Sequence, residues 1–276
     1  MGRTQQAAVE ALPPYQVRTH NASEHSENRM HSDEVARQFG FKGALVPGVT
    51  VFAHMTQPLV ARYGEAWLGG AIAEVFFAKP AYEGELLTVS ARPNTNGAGH
   101  EVVCSNEEGI ELARMTSLIP GAAPAVDPRS DIVPAPPAGE RPRVTWDLME
   151  VGKSFPALAW APTTADNVQW CADVRDDLPL YRSGDNAPLH PGFVLRQANF
   201  VLRNRFTLPA WIHTGSRIVF HRPLRVGHAY EVRAIPEEKW ERKGHQLVRL
   251  YVAIRAGDET VAEVIHSAIF NPRKAG

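Results

Sequence analysis

The pattern of hydrophobic and polar positions places one apolar run of helical spacing ahead of four strand-like segments, and then does so again. From Val49 to Arg62, the apolar residues Val49, Phe52, Ala53, Met55, Leu59 and Val60 predict a helix buried on most of its faces. Val46-Pro47-Gly48 reads as its start, because proline lacks an N–H that a first turn would leave unpaired anyway. Beyond it, Ala71–Phe77, Leu86–Arg92, Glu101–Ser105 and Leu112–Ile119 read as strands. Asn94-Thr-Asn-Gly and Asn106-Glu-Glu-Gly separate them with turn chemistry. Upstream, Tyr15-Gln-Val-Arg is a candidate first strand. Ser32 or Asp33 caps a short helix through Glu34-Val-Ala-Arg-Gln, which Gly40 ends.

Residues 121–143 are rich in Pro and Ala without periodicity, the composition of an extended linker. The chain after this segment repeats the chain before it. Pro47-Gly48 corresponds to Pro191-Gly192 at an offset of 144, and each pair opens an apolar helix. Phe77-Ala-Lys-Pro80 corresponds to Phe220-His-Arg-Pro223 and Gly84 to Gly227, both at 143. Gly99-His100 matches Gly244-His245 at 145, and Ala113–Ile119 resembles Val264–Phe270. Matches in one order at nearly constant spacing indicate a tandem duplication. The units are 1–120, the linker 121–143, and 144–276. In each, an antiparallel sheet needs one face covered, and a single central helix covers it. The expected class is α+β, with two such sheets pairing edge to edge as a pseudo-dimer within one chain; that arrangement removes two exposed strand edges.

Composition changes this picture little. The 276 residues are 44% hydrophobic and 21% charged, as in ordinary globular proteins. A net charge of −1 gives no reason to expect nucleic acid or an anionic membrane as partner. Cys104 and Cys171 are the two cysteines, far apart, which argues against a disulfide framework or a cysteine metal site. The first fifteen residues lack a basic-then-apolar pattern, and no run reaches roughly 18 apolar residues. A soluble, cytoplasmic setting is the expectation.

The chemistry concentrates between Ser26 and Tyr63. His31 is a candidate general acid or base, since imidazole exchanges protons near neutral pH. Asn28 could orient a water, and the free N–H groups at the Val46-Pro47-Gly48 helix start suit a developing oxyanion. Each has a plainer reading: His31 as a loop residue making a tertiary hydrogen bond, Asn28 as an Asx-turn residue, Gly48 as a close-packing helix start. Asp33 reads as an N-cap. His213, His221 and His266 form no metal-ligand spacing.

With these residues in place, the chain resembles the MaoC-like (R)-specific enoyl-CoA hydratase/dehydratase family in its double-hotdog form. That family carries the loop Gly-Asp-x-Asn-Pro-Leu-His. Setting His31 on the family histidine puts Met30 on Leu, Arg29 on Pro, Asn28 on Asn, and Ser26 on the catalytic Asp. Asn-x-x-His survives and the Asp does not. Gly48 falls where the family uses a backbone N–H on the thioester oxygen, with Val46 beside it. In the second repeat, Asp176, Pro179 and Leu180 match, while Tyr181 replaces His and Leu178 replaces Asn. Gly184-Asp-Asn-Ala-Pro-Leu-His190 matches the motif more closely by letter, but the repeat aligns His190 with Val46 and makes it a loop into the second helix.

The resemblance implies acid/base addition or removal of water at a 2-enoyl thioester, with His31, Asn28 and the nearby carboxylate Glu27 as catalytic candidates. Gly48 and Val46 are the oxyanion or substrate contacts. It implies no metal or redox cofactor, with CoA or an acyl carrier as the substrate's handle, docked through Arg29, Lys42 or the stretch Lys239–Lys243. Homodimer formation is compatible with it. Two other readings stand beside it: thioester hydrolysis with Glu27 as base, and a non-catalytic acyl-thioester binder, because the motif Asp is lost.

Overall fold

The structure, a computed structural model, describes residues 9–95, 98–137 and 139–274. The expected turn at Asn94-Thr-Asn-Gly lies partly outside them. Ten strands form one antiparallel sheet. The first repeat contributes β1 (Tyr15–Arg18), β2 (Ile72–Phe77), β3 (Leu86–Pro93), β4 (His100–Ser105) and β5 (Glu111–Leu118). The second contributes β6 (Leu158–Trp160), β7 (Ile212–Phe220), β8 (Tyr230–Arg242), β9 (His245–Ala256) and β10 (Glu259–Asn271). Their order is β1-β3-β4-β5-β2-β7-β10-β9-β8-β6.

The two five-strand halves meet where β2 pairs with β7, from Ile72 opposite Val219 to Phe76 opposite Gly215. The edge-to-edge junction expected from the duplication is therefore a true ladder. It leaves only the short β1 and β6 at the sheet's ends, which limits exposed backbone. Isolated bridges repeat as well: Leu45 pairs with Tyr82 and Pro188 with Arg225.

Each repeat lays one long helix on the same face of the sheet, α2 (Gly48–Tyr63) in the first and α5 (Pro191–Arg205) in the second. Shorter helices are α1 (Asp33–Gln38), α3 (Glu65–Leu68) and α4 (Thr164–Asp173). In α2 the side chains from Val49 to Thr56, then Pro58, Leu59 and Val60, are buried, so the helix is apolar on most sides as its spacing predicts. The central helices cross closely at Gly192. A Cβ there would lie 2.9 Å from the Ala53 Cβ and 3.0 Å from the Val49 carbonyl oxygen, so a side chain would push them apart. One continuous core spans both repeats.

The linker is less free than its composition suggests. Val252 and Ile254 of β9 face the helices, and the alternating Tyr251 and Ala253 turn to the opposite face, where Ile132 covers them. The Asp127 N–H donates to Glu263 at 3.2 Å, and the Arg129 guanidinium stacks 4.5 Å over the Tyr251 ring. Asp33 corrects its expected role. Ser32 holds the N-cap position of α1, while Asp33 Oδ1 accepts from the Ala44 N–H at 2.7 Å and pins the glycine-rich loop.

Candidate active site

Asn28 caps the 3₁₀ turn Arg29–His31 and ties it to the other repeat. Its Oδ1 accepts from the Met30 N–H at 3.3 Å and from the Trp211 N–H at 3.1 Å. Two backbone donors on that oxygen identify the other terminal atom as Nδ2, which donates to the Trp211 carbonyl at 3.0 Å. The second Nδ2 hydrogen points at His31 Nε2, 3.1 Å away. His31 Nδ1 lies 2.6 Å from the Leu45 carbonyl oxygen, which can only accept, so Nδ1 carries the ring proton and Nε2 presents a lone pair. Burial, against the Leu45 hydrogen bond, lowers the His31 pKa to about 4. The imidazole is neutral near pH 7, with its lone pair at Nε2. The two motif residues that survive in the sequence come together in space.

They border a cavity of about 260 Å³ lined mainly by apolar groups of both repeats, among them Met30, Phe41, Val51, Phe77 and Ile269. Gly48 opens α2 at its wall, and among the described residues its N–H has no hydrogen-bond partner. A helix start aims such an N–H, with the positive end of the dipole, at an acceptor. A Cβ on Gly48 would lie 3.1 Å from His213 Nδ1 and 3.2 Å from Phe77 Cε2, so glycine lets both rings close against the helix start. Val46 differs: its N–H is taken by the Ala81 carbonyl at 2.9 Å, leaving it as apolar wall.

A second chamber, about 450 Å³, shares Asn28, His31, Pro47, Asn199 and Trp211 with the first. It is more polar. Arg196 and Arg203 of α5 line it with residues 21–28. The Arg196 guanidinium lies over the rings of Trp170, Phe193 and Phe200 at 4.6–4.8 Å, and among the described residues it has no ion-pair partner. Glu27 also lines this chamber, but its carboxylate accepts from Arg141 at 3.1 Å and lies 3.8 Å from Arg203. The structure shows no hydrogen bond between Glu27 and His31, because the arginines hold the carboxylate elsewhere. Ser26, which aligns with the motif Asp, donates to the Asn28 carbonyl at 3.4 Å. Of the expected handles, Lys42 is paired with Glu85 at 2.8 Å and Lys239 donates to the Trp146 carbonyl at 2.8 Å. Neither they nor Arg29 lines either chamber.

Sequence reasoning passed over His213. It lies on β7 in the first cavity's wall, beside Gly48. Its Nε2 is 2.8 Å from Ser216 Oγ, which is 2.9 Å from His266 Nδ1, and the remaining nitrogens, His213 Nδ1 and His266 Nε2, are buried without hydrogen-bond partners among the described residues. Burial first, and then the neighbouring His266, outweigh a contact with the Gly215 backbone and hold the His213 pKa well below its ordinary value; burial lowers that of His266 to about 3. The duplication offered one signal. The strand that carries Phe220, the partner of Phe77, also carries His213 seven residues earlier.

The second repeat's counterpart is filled. His190 is fully buried at the N-cap of α5, where its Nδ1 accepts from the Gly192 N–H at 3.0 Å and its Nε2 donates to Asp176 Oδ2 at 3.2 Å. The helix-start N–H is thus spent, and Trp170 and Ala53 occupy the space in front of Gly192. Burial raises the Asp176 pKa, but its contacts with His190 and the Leu178 N–H outweigh that and hold it below the usual carboxylate value. The Tyr181 ring lies tilted against His190, with centroids 4.7 Å apart. Among the described residues, no group of three or more His, Cys, Asp or Glu side chains is placed to hold a metal ion.

No family model matches the sequence, and no curated protein matches it. Solved structures do. A protein described as a MaoC domain dehydratase, from Chloroflexus aurantiacus J-10-fl, superposes with a TM-score of 0.66 at 12% identity, over 99% of this chain and 100% of its own. Rv0216 of Mycobacterium tuberculosis, described as having a double hotdog fold, gives 0.60 at 13% identity, over 95% and 96%. The tesB protein MAP1729c of Mycobacterium avium subs paratuberculosis gives 0.52 at 13%, over 94% and 93%. The chain has the double-hotdog fold, the fold of MaoC-like dehydratases.

Proposed function

We propose that this protein binds an acyl thioester and adds water to, or removes it from, its 2-enoyl group. The observation that carries this reading is a neutral His31, its lone pair at Nε2, at the wall of an apolar cavity that Gly48 also lines with an unpartnered N–H. The acyl chain would occupy the first cavity, with its carbonyl oxygen accepting from Gly48. A water replacing the direct Asn28–His31 contact would accept from the amide and donate to Nε2. As its oxygen bonds to C3, Nε2 takes the proton, and electron density moves through C2 onto the thioester oxygen. The imidazolium then protonates C2, completing addition of H and OH; dehydration is the reverse. The second chamber, with Arg196 and Arg203, would take the phosphates of the thioester's carrier arm.

One observation favours a second reading, binding without turnover: Ser26 stands in the carboxylate's place and arginines hold Glu27. Incubation with crotonyl-CoA separates the outcomes. Loss of enoyl absorbance without free thiol supports hydration, released thiol supports hydrolysis, and saturable binding with neither change supports the inert binder.

A further inference from the structure

His213, Ser216 and His266 hold three polar hydrogens when neutral, one each, but only two hydrogen bonds join them. One hydrogen is therefore always left over, on His213 Nδ1, on Ser216, or on His266 Nε2. Both outer nitrogens are sealed from solvent, and among the described residues neither has a hydrogen-bond partner. A buried donor without an acceptor costs about 1–3 kcal/mol, so the network is incomplete by itself. The two ends differ in their surroundings. The His266 side chain is fully buried, while His213 lines the cavity with its Nδ1 3.1 Å from the Cβ position of Gly48. The arrangement that a ligand can complete puts the spare hydrogen on His213 Nδ1. Ser216 then donates to His213 Nε2 and accepts from His266 Nδ1–H, leaving only a lone pair at the buried end.

We propose that His213 Nδ1–H joins the Gly48 N–H as a second donor to the carbonyl oxygen of a bound acyl thioester, so that the two repeats build one oxyanion site. Ser216 and His266 are positioning residues that set the tautomer. The Phe77 ring, 4.7 Å from the His213 ring and edge-on, fixes its plane. His31, about which the proton moves, belongs to the other repeat, so the donor and the base are carried on separate elements. A buried neutral imidazole suits this role because it donates without the cost of burying a charge.

The inference rests on the thioester reading, and its test separates the two. Affinities of butyryl-CoA and of its thioether analogue S-butyl-CoA, which lacks the carbonyl oxygen, are measured on the full chain. The wild type is expected to prefer the thioester by about 100-fold, the equivalent of two good hydrogen bonds. His213→Leu should lower that ratio about tenfold, to the share that the Gly48 N–H supplies. His213→Asn, whose amide nitrogen can occupy the Nδ1 position, should keep most of the wild-type ratio, and Ser216→Ala should reduce it. The ratio cancels any general loss of affinity. An unchanged ratio in His213→Leu overturns the assignment, and if that variant fails to fold, an unchanged ratio in Ser216→Ala does so. If the wild type binds neither ligand, the thioester reading itself falls and takes this assignment with it.

Discussion

The Asn28 amide donates to His31 Nε2 at 3.1 Å while its side chain also bonds three backbone groups, the N–H and carbonyl of Trp211 and the N–H of Met30, so a residue of the second repeat holds the His31 ring of the first in register. Replacing that donor with an acceptor reverses the local electrostatics. Asn28→Asp places a negative charge against the ring, which favours the imidazolium and raises its pKa. NMR titration of the imidazole should show wild-type His31 neutral down to about pH 4, and the variant protonating at distinctly higher pH. A variant titrating with the wild type would show that the contact does not govern the ring.

Gly48→Ala should damage the site more than the fold. The new methyl meets His213 and Phe77 at 3.1–3.3 Å, so the rings must give way by a few tenths of an ångström and the donor at the helix start shifts with them. The expected result is a fall in kcat/KM of about 10- to 100-fold, with about 1 kcal/mol lost in urea unfolding. Equal losses in both would make Gly48 a packing residue alone.

Asp176→Ala should do the opposite. It leaves the Nε2–H of the fully buried His190 without an acceptor in the filled second site, at a cost of about 1–3 kcal/mol. Glu27→Gln removes only a partly exposed pairing with Arg141 and Arg203, worth about 0–1 kcal/mol. Ligand affinity should be unchanged in Asp176→Ala wherever it remains folded, and turnover in Glu27→Gln should stay within about threefold of wild type. A loss of turnover above tenfold in Glu27→Gln would return that carboxylate to the reaction.

Stability should decline as the solution is acidified. His54 and His266 have folded-state pKa values lowered to about 3 by burial, below their unfolded value of 6.5, and His213 shifts the same way. The unfolded chain therefore binds more protons below pH 6.5, and stability is lost from there down toward the folded pKa. Each such group contributes about 1.4 kcal/mol per pH unit within that window. Urea midpoints at pH 7, 6 and 5 should fall at each step below 6.5; a flat series would contradict the neutral, buried state of these histidines.

Much of the architecture was legible because the duplication is written in local signals. Pro47-Gly48 and Pro191-Gly192 do mark the starts of α2 and α5, and the strand segments fall within a residue or so of β2 to β5. His31, Asn28 and Gly48 were legible as candidates through a short motif and a helix start. What escaped depends on partners distant in sequence. Glu27 looked available until Arg141, 114 residues away, was found to hold it. Val46 looked like a donor until Ala81 took its N–H. His213 reads as an ordinary strand residue, and only the β2–β7 ladder brings β7 beside the first repeat. The filled state of the second site was equally hidden, since Trp170 reaches Gly192 across α4 and α5.

In the proposed hydration of a 2-enoyl thioester, His31 moves the proton. Steady-state hydration of crotonyl-CoA by the wild type and by His31→Gln, with thermal melts of both, tests it most directly. Measurable hydration by the wild type is expected, with a loss of about 100-fold or more in a His31→Gln protein that melts as a folded chain. Wild-type hydration that survives in His31→Gln would remove His31 from the reaction, and a wild type that binds crotonyl-CoA and never hydrates it would be a binder alone.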